Sequence, residues 1–190
     1  MSNSYCAAVR SGRLHAVHTR YHDLEYGFPL THDDGLFERL ILEINQAGLS
    51  WETILKKRDG FVKAYANFNL EQVAAFNDED FARLMSDSGI IRNRLKIRAA
   101  TENAKRILEI QREHGSFLAW LELQPALELD TWRRLFKKTF VFTGGEIVRE
   151  FLVSTGFLPG AHDEDCSIHA QTLALKPAWT RGIISTPAFV

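Results

Sequence analysis

The chain has 190 residues, of which 45% are hydrophobic and 25% are charged, and its formal net charge is −1. These values are typical of a globular protein with a substantial core, and they exclude a global electrostatic attraction to nucleic acid. No segment approaches the roughly 20 apolar residues of a membrane span, and no run at the start resembles a secretory signal. We therefore expect a cytoplasmic protein in which Cys6 and Cys166 form no structural disulfide.

The first strong pattern along the chain predicts an amphipathic helix over residues 35–46. Apolar residues recur there at helical spacing: Leu36, Phe37, Leu40, Ile41, Ile44 and, just beyond, Ala47. Asp33 and Asp34 are candidate caps for this helix, and Gly48 is expected to end it.

This helix carries two glutamates in different positions. At about 100° per residue, Glu43 falls at the edge of the apolar stripe, whereas Glu38 points to the opposite, solvated face. A buried carboxylate costs free energy unless it has a partner. Glu43 is therefore a candidate functional residue.

The rest of the chain is predicted to form further helices joined by short polar breaks. Ser50 begins a helix with a joint at Gly60. Asn69 and Asp78 begin two more, and the longest helix is predicted over about Asn93–His114. Three later segments complete the set: "SFLAWLEL", "DTWRRLFKK" and "GEIVREFLVST". Since the short segment "TFVFT" is the only candidate strand, the predicted fold is all-α.

The segment "MSDSGIIRNRLK" predicts a helix, a tight break at Ser88-Gly89 and a second, basic helix. Backbone N–H groups at such a hairpin suit a phosphate, because they are unsatisfied and the helix dipole is positive there. The nearby basic side chains are Arg92, Arg94, Lys96 and Arg98. The pattern alone is more typical of an ordinary turn with solvated arginines. Two other basic clusters could extend the surface, although each is more typical of a solvated face: Lys56-Lys57-Arg58 and Arg133-Arg134-Lys137-Lys138.

The segment "HDEDC" places His162 and Cys166 at a spacing that lets an imidazole and a thiolate bind one metal ion. Four N-terminal side chains could complete a tetrahedral site: Cys6, His15, His18 and His22. His169, which follows Cys166 closely, is a competing ligand. From the spacing alone, an inert cysteine beside a surface histidine is the more common arrangement.

Aromatic residues flank the two ends of the helix that carries Glu43. Tyr21, Tyr26 and Trp51 could form a slot that holds a flat, nitrogen-rich ring by stacking, while the carboxylate accepts its hydrogen bonds. The alternative is that the aromatics belong to the core and that Glu43 is a salt-bridged residue at its rim. The residues alone favour the alternative.

Together these segments resemble the 3-methyladenine DNA glycosylase I family, within the helix–hairpin–helix glycosylases. The matching segments are "YHDLEYGFP", "LFERLILEINQAGLSWETILKKR", "LEQVAAF", "LMSDSGIIRNRLKIRAATENA", "FVFTGGEIV" and the terminal His-x-x-x-Cys. The resemblance covers roughly residues 6–166. The succession of "QAGLSWETILKKR" and "GIIRNRLKI" is highly specific.

The resemblance implies one all-helical, two-lobed domain over residues 1–190. Its implied activity is the removal of N3-methylated adenine from alkylated double-stranded DNA, by base flipping and hydrolysis of the N-glycosidic bond. Glu43 is then the carboxylate that contacts the base, while Tyr21 and Trp51 stack on the flipped ring. We expect the protein to act as a monomer.

The resemblance also implies a structural zinc ion and a grip on the DNA backbone. The implied zinc ligands tie together the segments at residues 6–22 and 162–166, and they are Cys6, His22, His162 and Cys166. The implied helix–hairpin–helix spans about residues 79–113, and its DNA-contacting residues are Ser88, Gly89 and Arg92.

Methylation at N3 gives adenine a positive charge and weakens its glycosidic bond, so modest catalysis can suffice. A partly desolvated carboxylate favours such a cation. Members of the superfamily that attack neutral bases generally add an aspartate after the second helix of the hairpin. The segment around residues 110–130 offers no clear equivalent, and no lysine is a convincing lyase nucleophile. These features predict a monofunctional hydrolase that uses water.

The chain departs from the family pattern in five places. Cys6 lies farther from His22 than the family spacing, so it is the least secure of the implied ligands. No aromatic follows Cys6, and His18 stands where a further pocket tyrosine is common. The segment 121–132 is shortened, and the tail 167–190 is longer than usual. The missing aromatic and the shortened segment favour an alternative hypothesis, a non-catalytic zinc-containing protein that binds alkylated or distorted DNA, whereas the retained Glu43, Tyr21 and Trp51 favour the enzyme.

Overall fold

The computed structural model describes residues 4–124 and 128–181. Within these two ranges the regular structure consists of eleven α-helices and two 3-10 helices, Ala66–Phe68 and Ala178–Thr180, with no strand. The α-helices are α1 Tyr5–Arg10, α2 Ala16–Leu24, α3 Asp33–Gln46, α4 Trp51–Ala64, α5 Leu70–Ala74, α6 Asp78–Ser86, α7 Arg94–His114, α8 Phe117–Glu122, α9 Leu129–Thr139, α10 Gly145–Ser154 and α11 Ser167–Ala174. The predicted all-α fold is confirmed.

Helix α3 lies at the centre of the molecule. It packs against α4, α7, α8 and α10, and its apolar stripe is fully buried at Leu36, Phe37, Leu40, Ile41 and Ile44. One apolar core runs without interruption from α3 to α10. The helix that carries Glu43 is therefore held on several sides.

Local capping signals set most helix starts. Ser50 accepts a hydrogen bond from the Thr53 amide at 3.2 Å, and Asn69 accepts one from the Gln72 amide at 3.0 Å. Asn93 caps α7, whose bounds match the predicted long helix. These side chains accept from backbone N–H groups that have no partner within the helix. The corresponding predictions are confirmed.

The prediction that Asp33 and Asp34 cap α3 is wrong. Asp33 lies within the first turn of α3, and its carboxylate accepts from the amides of Phe117 at 2.7 Å and Leu118 at 3.0 Å. It therefore caps α8. Asp34 accepts from the Leu70 amide at 3.3 Å, at the start of α5. Tertiary neighbours, rather than the local turn, use these two carboxylates.

The candidate strand "TFVFT" is not a strand. Helix α9 continues to Thr139, and the chain then turns through Phe142 at a φ of 60°. The side-chain amide of Asn103 donates to the Val141 carbonyl at 3.0 Å, and its oxygen accepts from the Val141 amide at 2.9 Å. One buried side chain thus supplies the hydrogen bonds that a neighbouring strand would have given.

The predicted joint at Gly60 is also wrong, because α4 passes through this residue. A Cβ atom at Gly60 would lie 2.4 Å from the Gly89 carbonyl oxygen. Glycine is therefore needed for close approach between α4 and the hairpin after α6. Lys57 strengthens this contact by donating to the Ser88 carbonyl at 2.6 Å.

The tail after Cys166 is helical at first. Beyond α11, the Trp179 amide donates to the Gly156 carbonyl at 3.3 Å, and Arg181 forms an ion pair with Glu122 at 2.6 Å. Residues 182–190 of the predicted tail and residues 125–127 of the shortened segment lie outside the described residues. None of the helices described has the length and apolar character to cross a membrane.

Candidate functional site

A cavity of about 420 Å³ lies where α3 and α4 meet α10 and the N-terminal segment. We call it the Glu43 cavity. Its lining residues are Ser4, Tyr5, Cys6, Tyr21, Tyr26, Glu43, Gln46, Trp51, Arg149, Glu150, Gly160, Ala161 and Asp163. The three candidate residues Glu43, Tyr21 and Trp51 are therefore brought together.

Glu43 is only 4% exposed. Burial raises the pKa of its carboxyl group to about 8, an effect that Arg39 partly offsets and Glu150 increases. Within the described residues, its side chain has no hydrogen-bond or ion-pair partner. An unpaired buried carboxylate costs free energy, so it is uncommon outside functional sites. Glu43 is therefore a candidate for binding a polar group of a ligand.

The alternative interpretation of Glu43 as a salt-bridged rim residue is wrong, since Glu43 has no such partner among the described residues. The other glutamate of α3 does have one. Glu38 lies 2.7 Å from the guanidinium of Arg58, which also pairs with Glu25. Glu38 is thus part of an ion-pair network rather than a freely solvated side chain.

Tyr21 forms one wall of the cavity. Its ring centroid lies 5.1 Å from that of Trp51 and 5.6 Å from that of Tyr26. The buried guanidinium of Arg39 donates to the Tyr21 hydroxyl at 2.8 Å and pairs with Glu25 at 3.3 Å. These contacts fix the ring in place, so the cavity presents a rigid aromatic wall to a flat ligand.

The lining residues that the sequence interpretation missed include Tyr5, Arg149 and Glu150. The ring of Tyr5 packs edge-to-face on Tyr26 at 5.4 Å, and its hydroxyl lies 3.0 Å from Nδ1 of His18. An aromatic is thus present beside Cys6, one residue before it rather than after it. The signal was available in the sequence as the adjacent "YC".

Four candidate ligands meet beside this cavity in what we call the Cys/His cluster: Cys6, His22, His162 and Cys166. Their ligand atoms all lie within 4.8 Å of one another, and all four residues are buried. Nε2 of His22 lies 3.2 Å from Sγ of Cys6 and 3.2 Å from Nδ1 of His162. This group could hold a metal ion.

The spacing within the cluster fits a tetrahedral site. Zn–N bonds of about 2.0 Å and Zn–S bonds of about 2.3 Å would separate neighbouring ligand atoms by roughly 3.3–3.8 Å. Sγ of Cys6 lies 3.6 Å from Nδ1 of His162, and Sγ of Cys166 lies 3.8 Å from Nε2 of His22. The donor set and its dimensions therefore suit zinc.

Outer hydrogen bonds orient both imidazoles toward the centre of the cluster. Nδ1 of His22 lies 2.7 Å from the carboxylate of Asp23, and Nε2 of His162 donates to the Tyr26 carbonyl at 2.7 Å. The remaining ring nitrogens then face the cluster with their lone pairs, as in protein metal sites. The Asp163 amide also donates to Sγ of Cys6 at 3.4 Å.

The other candidate histidines lie outside this cluster. His15 is exposed and caps α2 through its side chain. His18 is buried near Tyr5 and lies 3.8 Å from Glu52. His169 is only partly buried, on α11. The spacing had left all three open as ligands.

The hairpin between α6 and α7 exposes Ser88 and Arg92, while Gly89 is half-buried. The guanidinium groups of Arg94 and Arg98 both lie over the Phe81 ring, at 5.2 Å and 5.3 Å from its centroid. The structure thus places all three predicted DNA-contacting residues on one short segment, with further positive charge beside them.

Lys96 does not belong to this exposed basic group. Its side chain is buried, and its ammonium group donates to the carbonyls of Asn45 at 2.9 Å and Ala47 at 2.6 Å. Lys96 therefore caps the carboxyl end of α3, where carbonyl groups lack helical partners. Lys96 thus connects α7, the second helix of the hairpin, to α3, which carries Glu43.

The cluster Lys56-Lys57-Arg58 is occupied by partners within the chain. Arg58 pairs with acidic residues as described, Lys56 pairs with Glu52 at 2.6 Å, and Lys57 donates to the Ser88 carbonyl. In the other cluster, Arg133 pairs with Asp130 at 2.9 Å and Glu146 at 3.3 Å. These contacts favour the interpretation of the first cluster as ordinary ion-paired surface.

Known proteins are similar to this chain over most of its length. A family model described as methyladenine glycosylase matches residues 12–126. DNA-3-methyladenine glycosylase 1 of Escherichia coli (strain K12) is 34% identical over 161 residues, which cover 75% of this chain and 86% of that protein. DNA-3-methyladenine glycosylase of Haemophilus influenzae is 32% identical over 174 residues, or 80% of this chain and 91% of that protein.

Solved structures agree. 3-methyladenine DNA glycosylase I from Staphylococcus aureus, described with the structural basis of its 3-methyladenine recognition, superposes with a TM-score of 0.77 at 32% identity. The match covers 87% of this chain and 97% of that one. A variant of 3-methyladenine DNA glycosylase I in complex with 3-methyladenine gives a TM-score of 0.73 at 33% identity, covering 83% and 95%. This chain therefore belongs to the methyladenine glycosylase family.

Proposed function

We propose that this protein excises 3-methyladenine from alkylated double-stranded DNA by hydrolysing the N-glycosidic bond. The observation that carries the proposal is Glu43, a buried carboxylate without a partner among the described residues, in a cavity walled by aromatic rings. A cavity of about 420 Å³ accommodates a single flipped base. The names of the curated relatives support the same activity.

Glu43 recognises the methylated base by hydrogen bonding and by charge. The positive charge of the bound ring favours the ionised form of Glu43, and the resulting carboxylate accepts a hydrogen bond from the exocyclic amino group. Tyr21 and Trp51 stack on the base and exclude water, which strengthens this attraction. Unmethylated adenine lacks the charge and leaves poorly, so it is released slowly.

The reaction needs water as its only other reactant. The bond between the sugar C1′ and the base nitrogen breaks, and its electron pair neutralises the cationic base. The sugar is left with an oxocarbenium-like charge, which water captures with loss of a proton. No lysine is assigned to a covalent step, so the enzyme is monofunctional.

The hairpin residues Ser88, Gly89 and Arg92 hold the DNA backbone. Their support is the exposure of Ser88 and Arg92 and the charge of the neighbouring arginines. A phosphate here is bound close to the start of α7, where the dipole favours an anion. We expect a monomer to suffice, which sedimentation of the protein with a short duplex tests.

Zinc in the Cys/His cluster has a structural role in this proposal. Its four protein ligands leave no open position for water, as is typical of structural rather than catalytic zinc. The ion supplies bonds that tie the start of the chain to the segment around His162 and Cys166. It also holds Tyr26 in place, through the hydrogen bond from His162 to the Tyr26 carbonyl.

The decisive experiment incubates the protein with methylated duplex DNA and identifies the free bases released. We expect 3-methyladenine to be released, and Glu43→Gln to slow its single-turnover release about ten- to a hundredfold, since a charged hydrogen bond contributes roughly 1.5–3 kcal/mol. Glu113→Gln is the matched control, because the Glu113 side chain is 74% exposed. Tight binding of methylated DNA without release by the unchanged protein would instead favour the non-catalytic alternative.

A further inference from the structure

Helix α10 contributes only two residues to the Glu43 cavity, Arg149 and Glu150. The neighbouring residues of the helix are buried and apolar: Ile147, Val148, Phe151, Leu152 and Val153. Besides Glu43 and Asp163, the cavity therefore has a carboxylate from a helix that otherwise serves the core.

The two oxygens of Glu150 have different partners. Oε1 pairs with the guanidinium of Arg149, and Oε2 accepts from the Tyr26 hydroxyl at 3.2 Å. The side chains of Arg149 and Glu150 are 43% and 33% exposed, so water partly screens this ion pair. The hydrogen bond to Tyr26 connects Glu150 with the aromatic wall, since the Tyr26 ring contacts those of Tyr21 and Tyr5.

Glu150 also acts electrostatically on Glu43. Its negative charge raises the pKa of the Glu43 carboxyl group. The charge of Glu150 therefore acts on the buried carboxyl group of α3 across the cavity that both residues line. A cationic ring placed between the two carboxylates is attracted by both, while a neutral ring gains nothing from the second.

We propose that Glu150 is a specificity-determining residue, which makes the cavity select positively charged purine bases over neutral ones of the same shape. The inference rests on the proposed function and deepens it. Glu43 accepts a hydrogen bond from the exocyclic amino group and also attracts the positive charge. Glu150 contributes only by attracting the positive charge.

The test compares two free bases that differ in charge. The 3,9-dimethyladeninium ion is permanently cationic, and 3-methyladenine is neutral at the alkaline side of neutrality. Their affinities are measured calorimetrically for the full chain and for Glu150→Gln, which keeps the size and can still accept from Tyr26. We expect the variant to bind the cation about three- to tenfold more weakly and the neutral base less than about twofold more weakly.

Two further variants separate charge from position. Glu146→Gln is the control on the same helix, since the Glu146 side chain is 78% exposed, and both affinities should stay unchanged. Tyr26→Phe removes the hydroxyl without changing charge, and it should leave the ratio of the two affinities intact. Glu150→Ser serves as a second charge-removing variant if the glutamine variant does not fold.

The inference would be overturned if the ratio of the two affinities were the same in the Glu150 variants as in the unchanged protein. This includes the case in which both bases bind more weakly by the same factor. A ratio that falls as far in Tyr26→Phe would also overturn it, because Glu150 would then act by placing the ring. Base release from methylated DNA by the unchanged protein is a separate measurement. Its absence would count against the proposed function rather than against charge selection.

Discussion

The Cys/His cluster and the Glu43 cavity are neighbouring buried regions. Polar groups have partners in the cluster, whereas the carboxyl group of Glu43 has none among the described residues. Helix α2 serves both, with Tyr21 in the wall of the cavity and His22 in the cluster. Each imidazole of the cluster has an outer hydrogen-bond partner as well as close ligand atoms. Glu43, by contrast, is buried with no partner among the described residues.

The four metal-ligating side chains of the cluster are expected to stabilise the fold, whereas the buried carboxyl group of Glu43 is expected to destabilise it. A metal bound by four oriented ligands contributes folding free energy directly. A buried carboxylate without a partner lowers the free energy of unfolding, and it persists only where the surrounding core can bear the cost. We therefore expect opposite effects on stability when each region is altered.

The largest effect is expected from the cluster. Cys166→Ser removes one of four ligands, so metal affinity should fall and the free energy of unfolding should drop by about 5 kcal/mol or more. Metal analysis and chemical denaturation, with and without a chelator, measure both quantities. Ser167→Ala, at an exposed neighbour, is the control. Protein that is purified without metal and is indifferent to chelators would show that the cluster does not behave in this way.

The second effect has the opposite sign. The pKa of Glu43 is about 8 in the folded protein, above its ordinary value of 4.5. The unfolded chain loses this proton first, so stability falls as pH rises from 4.5 and the loss is complete above pH 8. Glu43→Gln should therefore be more stable by about 2–4 kcal/mol at alkaline pH, with little difference at about pH 4.

Denaturation curves over this pH range measure the difference between Glu43→Gln and the unchanged protein. The same variant is expected to lose activity, so stability and function should move in opposite directions. A glutamine variant that is less stable at every pH would mean that the carboxylate serves the fold, which would remove the contrast with the cluster.

The third effect concerns the connection between the cavity and the hairpin. Alanine is normally preferred to glycine within a helix by about 1 kcal/mol. At Gly60, however, a Cβ would lie 2.4 Å from the Gly89 carbonyl oxygen. Gly60→Ala should therefore lower the free energy of unfolding by about 1–3 kcal/mol and weaken DNA binding. Asp59→Ala, at an exposed neighbour, is the control, and a more stable Gly60→Ala would contradict the assigned contact.

The smallest effect should leave both buried regions untouched. Arg92 is exposed, so Arg92→Gln should keep the melting temperature and reduce the slope of log affinity for DNA against log salt by about one. Arg112→Gln, near the far end of α7, is the matched control. Equal slopes for both variants and the unchanged protein would exclude Arg92 from the DNA surface.

Local signals in the sequence were enough to predict most helices. Ser50, Asn69 and Asn93 each cap the helix that follows them, because the donor they satisfy lies two or three residues away. The apolar spacing of α3 likewise predicts the burial of Leu36, Leu40 and Ile44, although burial of this helix also extends to Glu43 and Asn45.

Contacts between distant residues could not be predicted in the same way. The local pattern around Asp33 is a normal start signal, yet its partners are the amides of α8. Lys96 carries the sequence signature of a DNA-binding lysine and instead caps α3. In both cases a partner that is remote in sequence decides what the side chain does.

The candidate site was predicted only in part, for the same reason. The spacing of "HDEDC" indicates two ligands, but it cannot choose among the N-terminal histidines, and the choice of His22 came from family resemblance. Glu150 sits in a helix whose pattern is that of a core element. Its place in the cavity depends on how α10 packs against α3, which no short motif records.

The ammonium group of Lys96 has a mechanical consequence. By bonding the last carbonyls of α3, it connects the hairpin between α6 and α7 rigidly to the helix that carries Glu43. We propose that Ser88–Arg92 hold the DNA backbone. The distance between this contact and Glu43 is then fixed by the protein. The nucleic acid has to deform to meet it, at a cost of about 1–6 kcal/mol for a bent duplex. Damaged base pairs need the least free energy to deform. The rigidity of the protein therefore favours binding at lesions.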